Sequence, residues 1–278
     1  MAKLDVPATR PANTAEIPIM RGAGQYAMQT YAVAAAEVQK LRHDPLELAT
    51  RAVQPLLWLL LFGEVMAQVR GISQGSLRYL DFLSAGILAQ SVLFVAIFYG
   101  ISAIWERDLG VLQRYLVSPA PRSAIVLGKA LSASVRALSQ ALIVYLLALL
   151  LGVGIDLNPV SIVGVVMVIA LGAALFSTFS LIIACIVKTR ERFMGIGQVL
   201  TMPIFFASNA IYPLALMPGW LRAISHFNPL TYEVDALRAL MLTAGVSDYG
   251  LALDFGVLTG TAAVLIMVAA RMYARMGY

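Results

Sequence analysis

Long apolar runs alternate with short polar segments along this chain. A helix crosses about 30 Å of hydrocarbon in roughly 20 residues, so runs of that length are the first thing to locate. Ala52–Val69 has Glu64 as its single acidic or basic residue, and Phe82–Ile104 has none over 23 residues. Ala137–Ile155 and Leu157–Val187 are charge-free over 19 and 31 residues. Phe193–Leu221 is charge-free over 29, but Pro203, Pro213 and Pro218 interrupt it. Tyr249–Ala270 is the last run, with Asp254 near its start. Strands of a membrane barrel alternate apolar and polar positions over about ten residues, and these runs do not. The pattern predicts an all-α polytopic membrane protein with six transmembrane helices.

The segments between the runs have their own periodicity. Residues 1–24 are rich in Pro, Ala and Thr and read as a flexible tail. Over 25–45, Ala27, Tyr31, Ala34, Ala35, Val38 and Leu41 share one helical face, opposite Gln25, Gln29, Glu37, Gln39 and Lys40. This is an interfacial helix lying along the inner leaflet, or a cytoplasmic helix packed on a partner. In 105–119, Leu109, Leu112 and Leu116 form a short apolar face, with Glu106, Asp108 and Arg114 as its polar complement. Ser118-Pro119 ends that helix. Such a helix either presses on a cytosolic partner or is a solvated turn held by its own ion pairs. In 207–245, Asn228-Pro229 is an N-cap followed by proline at the first helical position. Leu230, Val234, Leu237 and Met241 follow at helical spacing, with Asp235 and Arg238 on another face and Gly245 as a stop. A helix near 15 residues is too short to span, so it forms a re-entrant roof over the bundle or an ordinary extracytoplasmic loop.

Composition agrees with the pattern. Of 278 residues, 60% are hydrophobic and 13% charged, against about a quarter charged in a soluble domain. The mean hydropathy is +0.82. These values exclude disorder and a disulfide scaffold, and argue against a soluble enzyme. The net charge of +5 does not mark a nucleic-acid binder, because the basic residues fall between the apolar runs rather than on one wetted face. With both termini cytoplasmic, sixteen of the twenty Lys and Arg fall inside, and Arg70, Arg78, Arg222 and Arg238 outside. That asymmetry is the positive-inside signature. The first fifty residues hold no apolar run of signal-peptide length, so the first span is expected to direct insertion. Cys185 is the one cysteine and His43 and His226 stand apart, so neither an internal disulfide nor a metal site is expected.

Two segments carry a family resemblance. Glu106, Arg107, Asp108, Gly110, Ser118 and Pro119 match a Glu-Arg-acidic-x-Gly…Ser-Pro loop, and Asn228–Leu240 reads NPLTYEVDALRAL. With Asp81-Phe82-Leu83 and Gly86-Ile87-Leu88, they resemble the permeases of ABC-2 type transporters, in particular the drug- and polyketide-exporter branch, over roughly residues 25–275. The family often has Thr-Leu-Glu after the loop glycine; here Val111-Leu112-Gln113 stands, so an acid is missing at Gln113. The resemblance implies six spans, an interfacial helix, a coupling helix at 105–119 and a re-entrant segment marked by Asn228, Pro229, Tyr232, Asp235 and Arg238. It implies a homodimer or heterodimer of permeases resting on cytosolic ATPase subunits, in a bacterial cytoplasmic membrane. ATP and magnesium would lie on those partners, with no cofactor in this chain. A phosphate-cradling G-x-x-x-x-G-K-[ST] loop is missing: at Gly128-Lys129 the first glycine is Ser123 and the hydroxyl position is Ala130.

The resulting expectation is a non-catalytic permease subunit of an ATP-driven exporter of hydrophobic or amphipathic cargo, such as a drug, a lipid or a lipid-linked glycan. Glu106, Arg107, Asp108, Gly110, Leu112, Arg114, Ser118 and Pro119 would contact the ATPase, the charged ones through paired side chains. Gln90, Phe94, Phe98 and Tyr99 on the second span, with Met202, Phe205 and Phe206 on the fifth, are candidates for the cargo path. The alternative for each is lipid-facing or helix-packing duty. Glu64, the acid deepest in a span, is functional or else satisfied by water or Arg70. The rival classes are a secondary transporter or channel, for which Glu64 alone offers coupling, a membrane enzyme, and a scaffold tied to an ATPase.

Overall fold

The computed structural model describes residues 28, 53–63, 65, 78–109, 122–187 and 189–273. All regular structure among them is helical, with one isolated bridge between Ile155 and Leu242. The helices are α1 (Val53–Phe62), α2 (Tyr79–Tyr99), α3 (Ile101–Asp108), α4 (Arg122–Leu150), α5 (Pro159–Ile186), α6 (Arg190–Phe206), α7 (Gly219–Phe227), α8 (Pro229–Met241) and α9 (Leu251–Tyr273). The expected interfacial helix at 25–45 lies outside the described residues apart from Met28, as do Glu64 and Arg70.

Local signals set the helix ends. The Asn158 side chain accepts from Val160 N at 3.0 Å with Pro159 at the first position, and Asn228 does the same for Leu230 N at 3.1 Å with Pro229 following. Gly152, at φ +73°, closes α4 by donating to Leu149 O while Val153 donates to Ala148 O. This paired closure needs a left-handed residue, which glycine supplies at least cost. Pro203 sits in the last turn of α6, and Ala207 N bonds its carbonyl at 2.9 Å as the helix stops.

Four helical segments among the described residues are long and apolar enough to cross a membrane: Tyr79–Asp108, Ser123–Leu150, Pro159–Ile186 and Leu251–Met272. They correspond to the second, third, fourth and sixth expected runs. The third differs in extent. It was expected from Ala137, yet the helix begins at Arg122, so Lys129 and Arg136 lie within it. At about 1.5 Å per residue its 29 residues reach about 44 Å, more than the hydrocarbon requires. The fifth expected run is not one helix: α6 has 17 residues, and a turn, a short 3₁₀ segment at Leu214–Leu216 and α7 follow. The prolines account for the break, since each removes a backbone donor. The described part of the first run, α1, is too short to span and ends in a π-helical turn over Trp58–Phe62.

α5 is the centre of the bundle and packs on α2, α4, α8 and α9. The core joins Phe82, Leu88 and Val92 of α2, Ala141 and Val144 of α4, Val168 and Phe176 of α5, and Leu230 and Leu237 of α8. Outward faces are apolar too, with Leu142, Leu146 and Leu150 on α4 and Val264 and Met267 on α9 exposed. Apolar surface on both sides of a helix is the mark of a lipid-facing bundle.

Close backbone approaches hold α2 in place. A Cβ at Gly86 would overlap the carbonyl of Ala210, which is backbone and cannot swing aside, whereas a Cβ at Gly260 on α9 meets nothing within 4 Å. Gly86→Ala should lower the stability of the purified protein by about 1–3 kcal/mol. Gly260→Ala should leave it unchanged or raise it by up to about 1 kcal/mol. Thermal unfolding in detergent compares the two; equal midpoints would show that the Gly86 contact is not close.

Candidate functional site

At one end of the bundle α2 gives way to α3. Ser180 of α5 donates to Ile97 O, and a Cβ at Gly100 would collide with that hydroxyl and with the Phe193 ring. Gly100 therefore allows α5 and α6 to close on the point where the two helices divide. α3 then carries Trp105, Glu106, Arg107 and Asp108 into contact with two other helices.

The Glu106 carboxylate lies 2.6 Å from Lys129 Nζ of α4, and both side chains are over 90% buried. Its other oxygen, Oε1, has no hydrogen-bond partner among the described residues. Glu106 was expected to meet a basic group on an ATPase; in the structure it is engaged inside its own chain. The reason is the length of α4, whose added turns bring Lys129 alongside α3. Arg107 reaches Val187 O at 3.5 Å and Asp108 at 3.8 Å. Asp108 accepts from Arg190 of α6 at 3.1 and 2.8 Å, and the same guanidinium stacks on Trp105 at 3.7 Å. Leu109 and Trp105 are exposed. Gly110, Leu112, Arg114, Ser118 and Pro119 lie outside the described residues.

Midway along the bundle is a half-open cavity of about 470 Å³, lined by Gln54 and Pro55 of α1, Gln90, Ser91, Phe94, Val95 and Phe98 of α2, Gln140 of α4 and Gln198 of α6. Three of the seven expected cargo-path residues meet here: Gln90, Phe94 and Phe98 stand a turn apart on α2, with the two rings stacked at 6.1 Å. The others do not line it. Tyr99 faces α4, its hydroxyl 2.8 Å from Ser132 Oγ. Phe205 is fully buried, edge-on to Trp58 at 6.0 Å. Phe206 is exposed and lines a separate apolar groove with Trp220 and Ile224. Met202 is half-buried on α6, outside the lining. Gln54, Gln140 and Gln198 were not singled out from the sequence, although an amide in a long apolar run is a readable signal.

Around α8 lies a second network of polar contacts. Asn228 Nδ2 donates to Ile204 O at 2.6 Å, and the Tyr232 hydroxyl to His226 O at 2.8 Å. Asp235 accepts from Tyr249 N at 3.1 Å and Ser247 Oγ at 2.8 Å; that hydroxyl also lies 2.9 Å from Asp254. Arg238 donates to Asn209 O at 2.9 Å and stacks on Phe82 at 3.8 Å. The side chains of Asn228, Tyr232, Asp235 and Arg238 thus tie α8 and its flanking residues to each other, to α2 and to α6 and the residues that follow it. Glu233 was not anticipated. It is fully buried against Gly172 of α5, and neither carboxylate oxygen has a partner among the described residues. Burial alone pushes its carboxyl well above the usual carboxylate range, and burial also raises Asp248. The expectation that Glu64 alone offers a buried ionisable group is corrected: Glu233, Asp235, Arg238 and Asp254 are all buried. Glu233, Asp235 and Arg238 come from α8, outside the expected spans, and Asp254 from the start of the sixth expected run, where burial and not run length decides that it is enclosed.

A profile of the ABC-2 type transporter family matches residues 28–242, most of the chain. The chain belongs to the ABC-2 type transporter family. It is similar to the putative transport permease ycf38 of Cyanophora paradoxa, 32% identical over 72% of this chain and 70% of that protein. It also resembles the daunorubicin resistance ABC transporter permease protein DrrB1 of Streptomyces coeruleorubidus, 28% identical over 84% of this chain and 81% of that one. The inner membrane transport permease YadH of Escherichia coli K12 is 26% identical over 73% of this chain and 77% of its own. The protein is therefore a membrane-integral transport permease of an ABC transporter. ABC-2 permeases as a family pair with ATP-binding subunits.

Two predictions follow from the charged groups of this ABC-2 permease. Lys129→Met leaves the Glu106 carboxylate buried and unpaired and should cost about 3–5 kcal/mol, while Glu106→Leu with Lys129→Met should recover most of it. Chemical unfolding in detergent measures both, and equal losses in the single and double variants would rule out the pair as the cause. For Glu233, the raised folded-state pKa means full stability below the unfolded value, near 4.3, and progressive loss as pH rises through the folded value. Glu233→Gln should abolish that loss, so its advantage over the wild type should grow from pH 4 to pH 9 in thermal unfolding. A difference that shrinks with pH would contradict it.

Proposed function

We propose that this chain is the membrane-spanning half of an ATP-driven exporter. α1 and α6, with their neighbouring residues, complete six spans, and α7 with α8 form a re-entrant extracytoplasmic roof. Both termini face the cytoplasm of a bacterial inner membrane. Two permease copies, or this chain and a sister, stand among membrane lipids on cytosolic ATPase subunits that hold ATP and magnesium. The cargo is hydrophobic or amphipathic. The name of the daunorubicin resistance relative supports a drug. The nodulation protein J of Rhizobium meliloti, 27% identical, also matches over 71% of this chain.

The observation that carries the reading is a continuous link from α3 to the cavity. α3 leads directly into the 110–119 segment expected to touch the ATPase. It is pinned to α4 through Glu106–Lys129 and latched to α6 through Asp108–Arg190. α4 contributes Gln140 and α6 Gln198 to the cavity lining. A displacement imposed at 110–119 therefore reaches two walls of the cavity through α3. ATP does work on cargo only when its binding favours one of the two arrangements of those walls.

The latch is partly exposed, with side-chain exposures of 34% and 39%, so it contributes little to stability. Its expected role is coupling. In proteoliposomes holding the permease and its ATPase, Asp108→Arg should lower ATP-driven transport by about fivefold or more while ATP hydrolysis continues. Asp108→Arg with Arg190→Asp should restore it. Full transport in the single variant would remove α3 from the coupling path.

A further inference from the structure

The four cavity amides come from four different helices: Gln54 of α1, Gln90 of α2, Gln140 of α4 and Gln198 of α6. Ser91 adds a hydroxyl, and Phe94, Val95, Phe98 and Pro55 supply the apolar side. Asp, Glu, Lys and Arg are missing from the described lining. Arg136, one turn before Gln140 on α4, lies outside it, with its guanidinium 5.8 Å from the Tyr99 ring. At about 470 Å³ the space suits a drug-sized molecule or a lipid headgroup.

Each amide offers both a donor and an acceptor. The set complements neutral groups that also do both, above all hydroxyls and carbonyls. A carboxylate or phosphate entering here would lose water without meeting a cation, and an ammonium without meeting an acid. Gln140 adds the second observation. It is 1% exposed, and neither its Nε2 nor its Oε1 has a hydrogen-bond partner among the described residues. A buried amide with both ends unsatisfied is unfavourable until something supplies the missing partners. An acyl chain cannot do so, so a purely apolar occupant does not explain the lining.

We propose that this cavity receives the uncharged, hydroxyl- or carbonyl-bearing part of the cargo, its polar groups read by Gln140 and the other amides and its apolar body lying on Phe94 and Phe98. The inference rests on the exporter reading only in naming the occupant as cargo. Two sources share this chemistry: a neutral glycolipid headgroup and a free aromatic glycoside.

The test uses the full permease with its ATPase in nanodiscs for binding and in proteoliposomes for transport. The probes are NBD-glucosylceramide and 4-methylumbelliferyl glucoside as neutral ligands, NBD-phosphatidylserine as the anion and rhodamine 6G as the cation. At least one neutral probe should bind about tenfold more tightly than either charged one. Preference for the ceramide assigns a lipid source, and preference for the soluble glucoside a free one. Gln140→Leu should weaken the neutral probe by about tenfold without lowering the unfolding temperature, and Gln140→Glu should turn the preference toward rhodamine 6G. Gln198→Leu, at an exposed position, repeats the test with little risk to folding. Equal binding of neutral and charged probes, no binding of any neutral probe, or unchanged binding in both leucine variants would overturn the assignment. ATP-driven movement of probes without charge discrimination would leave the exporter reading standing and remove only this inference. Discriminating binding with no ATP-driven movement of any probe would do the reverse.

Discussion

A lysine and a glutamate on different helices, both over 90% buried and 2.6 Å apart, fix how α3 sits on α4. Neither charge tolerates burial without the other, because each would lose hydration with nothing in return. That requirement makes the junction stiff: α3 cannot slide along α4 without separating the pair. The bond from Asp108 to Arg190 is of another kind. It is exposed, weak in water, and stacked on Trp105, so it can open and re-form at small cost. The eight-residue α3 thus has one firm attachment, to α4, and one labile attachment, to α6. Gly100, where Ser180 and Phe193 close on the backbone, keeps helical dihedral angles and marks the one-residue interruption between α2 and α3.

The other end of the bundle solves a different problem. Between α6 and α9 the chain is broken into short helices and turns, and the backbone carbonyls freed there need partners. Arg238 donates to the carbonyl of Asn209, Asn228 to that of Ile204, and Tyr79 of α2 to that of Ile211 at 3.1 Å. Side chains thereby take over the duty that a continuous helix performs with its own backbone. Glu233 departs from this economy. Its carboxyl occupies the space left by the missing side chain of Gly172, which gives it a fitted site but no hydrogen-bond partner among the described residues. The cavity between the two ends has the same character in milder form, since the buried Gln140 amide has no partner among the described residues and lies beside an open space whose described lining carries no charge.

The sequence by itself determined the membrane class, four of the long helices, the cap at Asn228-Pro229 and the family, because these depend on local run length, periodicity and motif order. It grouped Gln90, Phe94, Phe98 and Tyr99; the first three, four positions apart, share the cavity face, whereas Tyr99, one position further on, faces α4. It also grouped Met202, Phe205 and Phe206. Neighbouring positions on a helix point in different directions, and only packing decided that Phe205 enters the core while Phe206 faces outward. The Glu106–Lys129 pair was likewise beyond reach. The two residues are 23 positions apart, and a long apolar run tells where a helix can cross, not how far it continues past the hydrocarbon. Tertiary structure alone brought four glutamines from four helices to one cavity and set Glu233 of α8 against Gly172 of α5. Periodicity specifies which face a side chain occupies, but what that face meets depends on the helix packed against it.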